Sequence, residues 1–165
     1  MIKIRRAIES DSEAIRSIYN HYVRESIATF DMVEKKQDEF LKEFGQISTN
    51  FPYLVASEDT SGSVVGYAYA NTWNPRDAYK RTVASTVYLN PDHLGNGIGS
   101  MLYEQLFDIL KNNGTHVIIG GISLPNDSSV RLHEKFGFIK IAHFKEVGWK
   151  FNKWIDVGYW ELMFD

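Results

Sequence analysis

Apolar and polar positions change their spacing several times along the chain, and each change predicts an element. Ile2-Lys-Ile-Arg-Arg-Ala-Ile8 alternates, as a short strand does. Ser10-Asp-Ser-Glu13 has the spacing of a helix capping box, and Ala14, Ile15, Ile18, Tyr19, Tyr22 and Val23 then form one helical stripe. Ser26 to Asp31 breaks that pattern. A second helix is predicted over Glu34 to Ile47, with Phe40, Leu41, Phe44 and Ile47 on its apolar side. Tyr53 to Ser57 and Val64 to Asn71 read as strands flanking a turn at Asp59 to Gly62. After a polar loop, Thr82 to Leu89 is dense in β-branched and aromatic residues and reads as a further strand. Asn90-Pro91-Asp92 stops it, because proline has no N–H for a ladder. The period then moves to about 3.6 at Ile98, Leu102, Leu106, Ile109 and Leu110, and Asn112-Asn113-Gly114 closes that helix. His116 to Ile122 reads as a buried strand. Pro125-Asn126-Asp127 opens a short helix through Phe136, and Phe138 to Trp149 and Asp156 to Phe164 are the last two strands.

The resulting order, β-α-α-β-β-β-α-β-α-β-β, predicts an α/β (α+β) fold with a mixed central sheet and helices on both faces. A chain of 165 residues, 44% apolar and 14% aromatic, suggests one domain spanning residues 1–165 with a proper core. The net charge of −3 offers no electrostatic case for nucleic acid or an anionic membrane. There is no cysteine, which excludes disulfides, a thiolate nucleophile and cysteine metal sites. No apolar run approaches a membrane span, so a soluble, cytoplasmic protein without a membrane partner is expected.

Gly95-Asn96-Gly97-Ile98-Gly99 joins the central strand to the central helix. The first N–H groups of a helix have no partner inside it, and the helix dipole is positive there. Glycines let a phosphate reach those donors without a Cβ in the way, so the stretch reads as an anion cradle for a pyrophosphate. The bland alternative is a tight strand-to-helix turn that holds nothing. A P-loop needs Lys and Ser/Thr after its last glycine, and the dinucleotide fingerprint is G-x-G-x-x-G; neither spacing is present.

Leu94-Gly-Asn-Gly-Ile-Gly99 instead resembles the coenzyme-A loop of the GNAT acetyltransferases, with Leu94 where Arg or Gln is usual. Thr82-Val-Ala-Ser-Thr-Val-Tyr88, the segment Leu124 to Glu134, Asp156-Val-Gly-Tyr-Trp160, Asn20-His-Tyr22 and the Trp73 to Tyr79 loop resemble the phosphinothricin N-acetyltransferase branch of that family. The resemblance runs from about residue 2 to the C-terminus. It implies a homodimeric enzyme that uses acetyl-CoA, and no metal, to acetylate the amino group of a small amino acid or analogue of the phosphinothricin or methionine sulfoximine type.

The same resemblance implies the site. Val87, Tyr88 and Leu89 would lie alongside the pantetheine, Gly95 to Ser100 would hold the pyrophosphate, and Asn126 and Ser129 would contact the cofactor from the far side. His133 stands four residues before Gly137, where many family members carry a tyrosine near the cofactor sulfur. Histidine can donate or accept near neutral pH, although a lone helical histidine is more often structural. The acceptor pocket would draw on Phe30, Trp73, Arg76, Tyr79, Ala84, Ser85 and Thr86, with Arg76 or Arg81 pairing with an acidic group on the substrate. The aromatics among these could equally be packing.

One position departs from the branch. It usually has Thr-Val-Glu at the start of the central strand, and here Thr82-Val83 is followed by Ala84. Alanine accepts no proton. Another group, a water relay or His133 takes the amine proton, or the chain is a weakened catalyst that mainly binds CoA. A protein N-acetyltransferase is a third reading, less suited to the aromatic loop.

Overall fold

The computed structural model describes all residues, Met1–Asp165. Seven strands and four helices follow one another in the predicted order: β1 (Ile2–Arg6), α1 (Ser12–Glu25), α2 (Gln37–Asn50), β2 (Tyr53–Glu58), β3 (Val64–Thr72), β4 (Thr82–Leu89), α3 (Ile98–Asn112), β5 (Val117–Leu124), α4 (Asp127–Lys135), β6 (Ile139–Lys150) and β7 (Lys153–Met163). The strands form one mixed sheet in the order β1-β2-β3-β4-β5-β7-β6. β1–β2, β2–β3, β5–β7 and β6–β7 are antiparallel, and β4–β5 is parallel over Thr82↔Val117, Val83↔Ile118 and Ala84↔Ile119.

Spatial proximity groups the chain into two compact units. One comprises Met1–Asn20, Lys35–Asn71 and Ser85–Gly114; the other comprises His21–Glu34, Thr72–Ala84 and Thr115–Asp165. In the first unit, β2 is buried from Tyr53 through Ser57, which requires cover on both faces of the strand. Phe44 of α2 meets the Tyr53 ring edge-on at 4.9 Å. From α3, Ile98, Leu102, Leu106 and Leu110 are buried as the period predicted, and Tyr103 and Phe107 join them. Truncating any one of these leucines to alanine would cost about 2–5 kcal/mol.

Two local expectations need correction. The residues Ser10 to Glu13 do not form the capping box. A 3-10 turn at Glu9–Asp11 precedes α1, which moves the cap back to Ile8. Asp11 then accepts from the Ile8 N–H at 2.9 Å and binds the Arg5 guanidinium through both oxygens at 2.7 and 2.8 Å. Burial pushes the Asp11 carboxyl up, but Arg5 and the Ile8 N–H outweigh it and hold it below the usual carboxylate range. The second helix starts at Gln37 rather than Glu34. Lys35 is held in an extended approach, its N–H donating to Asn20 Oδ1 at 2.9 Å and its carbonyl accepting from Asn20 Nδ2 at 3.0 Å.

In the second unit, β5 pairs along its whole length with β7, and β6 and β7 form a hairpin through Phe151-Asn152, both in the left-handed region. β6 departs from regular register between Lys140 and Ala142 and between Phe144 and Gly148.

Candidate active site

In the first unit the glycine loop has the geometry an anion cradle needs. Gly95 and Gly97 have φ of +78° and +76°, a region that side chains with a Cβ disfavour. A Cβ built on either would meet no atom within 4 Å, so conformation and not crowding demands glycine, and the space above the main chain is open. Gly97 is the N-cap of α3 and supplies no side-chain cap, so no side chain of the cap residue competes for the first-turn N–H groups. Gly95, Asn96 and Gly97 are exposed, Ile98 and Gly99 are buried in the helix packing, and Ser100 is half-buried. These features fit a diphosphate.

β4 leads directly into this loop. Val87, Tyr88 and Leu89 are half-buried. The Tyr88 ring packs against Tyr19 at 5.6 Å and Tyr67 at 5.7 Å, which leaves its main chain as the part that a ligand could use. Ser85 faces the other way, its hydroxyl 3.5 Å from the Tyr103 phenol, whose ionisation burial suppresses. Alternation along the strand therefore puts Ala84 and Thr86 on the Tyr88 side.

The second unit carries the side-chain chemistry. Asn126 is the N-cap of α4, its Oδ1 accepting from the Ser129 N–H at 3.2 Å and from the Ser128 hydroxyl at 3.0 Å. One turn on, His133 is only 3% exposed. Its Nδ1 lies 2.8 Å from the Ser129 carbonyl. A carbonyl only accepts, so Nδ1 carries the proton and Nε2 of the neutral ring is an acceptor. Burial lowers the imidazole pKa, and the Ser129 carbonyl opposes that shift without cancelling it. At neutral pH the ring is therefore uncharged, with its proton on Nδ1.

β5 makes room for this ring. A Cβ on Gly120 would lie 2.6 Å from His133 Cδ2 and Nε2, and one on Gly121 would lie 3.1 Å from Tyr159. Tyr159 in turn meets Trp73 and Phe144, each at 5.7 Å. Trp73 and Tyr79 are each 41% exposed and Phe30 is 38% exposed. Arg76 is exposed, and its N–H donates to Asn74 Oδ1 at 3.1 Å. Ala84 closes the β4–β5 ladder opposite Ile119. The candidates of this unit therefore fall into a capped helix start with His133 and a set of half-exposed aromatics. Tyr159 and the Gly120-Gly121 pair were not among the predicted site residues. Two adjacent glycines inside a buried strand were their signal in the sequence. No group of three or more His, Asp or Glu side chains converges as a metal site would require.

Comparison with known proteins bears on this geometry. The model of the acetyltransferase (GNAT) domain matches residues 4–158. The phosphinothricin N-acetyltransferase of Streptomyces viridochromogenes is 37% identical over 99% of this chain and 88% of its own length. The L-methionine sulfoximine/L-methionine sulfone acetyltransferase of Salmonella typhimurium is 36% identical over 98% of this chain and 94% of its own. Among solved structures, the Sinorhizobium meliloti phosphinothricin acetyltransferase in complex with acetyl-CoA superposes with a TM-score of 0.95 at 31% identity, covering 98% of this chain and 88% of that one.

Proposed function

The chain belongs to the GNAT acetyltransferase family, and we propose that it moves the acetyl group of acetyl-CoA onto the amino group of a small amino acid or amino-acid analogue. The observation that carries this reading is the left-handed glycine loop at Gly95–Gly97, opening α3 immediately after β4, in a chain matched by the family model through residues 4–158. The match reaches into both compact units, which supports a single catalytic domain over residues 1–165.

The cosubstrate supplies an activated thioester. In this reading the loop N–H groups from Gly95 to Ser100 hold its diphosphate, and the main chain of Val87–Leu89 lines up its pantetheine arm. A main-chain N–H near Leu89 is assigned to the thioester oxygen, where negative charge develops. Asn126 and Ser129 are assigned to the cofactor, Asn126 through the cap it already forms. The attacking amine must be neutral. Ala84 has no atom to accept its proton, and His133 is the side chain assigned to proton transfer, at Nε2. Phe30, Trp73, Arg76, Tyr79 and Thr86 are assigned to the acceptor, Arg76 matching an acidic group, while the Ser85 side chain, expected there too, is turned to the Tyr103 phenol.

The protein is further proposed to act as a homodimer in the cytoplasm, the compartment that suits its cosubstrate. No helix is long and apolar enough to cross a membrane. Support for the dimer comes from β6, which ends the sheet order and exposes Ile139, Phe144, Val147 and Trp149, with Trp154 beside them on β7. Apolar groups on an unpaired edge ask for a partner. Light scattering at micromolar concentration should give twice the chain mass; a monomer mass overturns that part.

A panel of free amino acids and analogues, assayed by CoA release beside short peptides, tests the main reading. Turnover of an amino acid with none of the peptides is expected. Turnover of peptides alone would make the chain a protein acetyltransferase, and CoA binding without turnover would make it a binding protein.

A further inference from the structure

Of the twelve residues of β6, two are buried, Gly148 and Lys150. Two positions apart, they lie on one face of the strand. Gly148 borders Phe30, whose ring fills the space a Cβ would need. Lys150 is 2% exposed, and its Nζ donates to the carbonyls of Ser26 at 2.7 Å, Thr29 at 2.8 Å and, at the limit, Tyr22 at 3.5 Å. Three donors on one ammonium suit three converging carbonyls.

The tethered carbonyls belong to the end of α1 and the irregular segment after it. Tyr22 lies in the last turn of α1, where the helix dipole favours a cation. Within Ser26–Asp31 the Ala28 N–H donates to Ser26 Oγ at 3.0 Å and the Asp31 N–H to Thr29 Oγ1 at 3.2 Å. Those two bonds shape each half of the segment. Lys150 ties it to β6. Burial disfavours the ammonium and the Asp31 carboxylate opposes that only in part, while an apolar side chain of similar length would fill the same space without the cost. The charge is therefore there for its bonds to this segment.

We propose that Lys150 is a positioning residue for acceptor binding: it ties Ser26–Asp31 to β6 and, with Gly148 as the seat of its ring, holds Phe30 where the acceptor binds. This rests on the reading of Phe30 as part of the acceptor pocket. Lys150→Met keeps the length and removes the donors. It should raise the acceptor KM by about tenfold or more while the acetyl-CoA KM stays within about twofold, a split that general loss of structure would not give. Amides over residues 26–31 should exchange with solvent roughly tenfold faster in the same variant. Lys150→Arg, which keeps the charge and donors, should recover part of the acceptor KM. An acceptor KM within about twofold of wild type in Lys150→Met, or unchanged exchange over 26–31, overturns the proposal. Should Lys150→Met fail to fold, Gly148→Ala keeps the lysine and takes the space of the Phe30 ring. It should raise the acceptor KM alone, and an unchanged value overturns the proposal. If the wild-type protein acetylates no amino acid, the functional reading fails, and amide exchange in Lys150→Met still decides whether the tether exists.

Discussion

The glycine loop and the α4 region are shaped by opposite means. The loop works through main-chain conformation: two glycines at positive φ, open space above them, and a helix N-terminus whose cap residue has no side chain. The α4 region works through side chains locked onto the main chain: Asn126 Oδ1 on the Ser129 N–H, His133 Nδ1 on the Ser129 carbonyl, and the His133 ring in the space that Gly120 leaves. A backbone device tolerates changes of side chain and fails when a φ angle is denied. A side-chain device tolerates little, because each group fixes the next.

The largest effect should come from denying the angle. Gly97→Val places a β-branched residue at φ +76°, and should abolish the rise in Tm that acetyl-CoA gives by binding the native state. The protein should remain folded, since a Cβ there meets nothing. An unchanged Tm rise would mean that the diphosphate sits elsewhere. Next comes Ala84→Glu. A positioned base is worth about 10²- to 10⁴-fold, so kcat/KM for the amino-acid acceptor should rise, most visibly below neutral pH where free amine is scarce. A stable variant with no gain would show that the proton already has an acceptor.

His133→Gln tests the side-chain device. It should lower kcat by roughly ten- to a thousandfold with little change in acetyl-CoA affinity; a wild-type rate would leave His133 a packing residue. The pH dependence has a definite sign. Burial holds the folded pKa of His133 below its ordinary value of 6.5, so the neutral ring favours the folded state. That contribution is full above about pH 6.5 and is lost as pH falls through the lower folded value, and the slope should vanish in His133→Gln. The smallest effect should be Leu94→Arg, which restores the side chain usual in the family. If the main chain does the cradling, the acetyl-CoA Kd should improve by about threefold at most, the gain of one exposed charge contact. A gain of about a hundredfold would transfer credit from the backbone to the side chain.

This same division explains what could be read in the sequence. The glycine loop, the order of elements and the face of α3 were all legible, because each follows from local spacing and from what glycine, proline and apolar side chains do within a few residues. The start of α2 was not, because Asn20 holds Lys35 in an extended approach from fifteen positions away. The cap of α1 moved for a related reason, since Arg5 on β1 fixes Asp11. His133 was visible as a candidate, but its tautomer was not, as that depends on the distance to one carbonyl. Lys150 gave no signal, lying one residue past the end predicted for its strand, and its partners lie more than 120 positions away.

The hairpin of β6 and β7 carries a constraint on how this chain can vary. Its turn is two residues long, and the irregularity before Gly148 is closed by Asp156, which accepts from the Glu146 N–H at 2.8 Å and pairs with His143 at 2.7 Å. From there to the turn, inward Gly148 and Lys150 alternate with outward Trp149. Because strand faces alternate residue by residue, a slip of one position would send the glycine and lysine into solvent and drive the tryptophan against Phe30. The stretch can therefore accept exchanges of identity at its outward positions but no change in length: here the protein keeps count where it need not keep spelling.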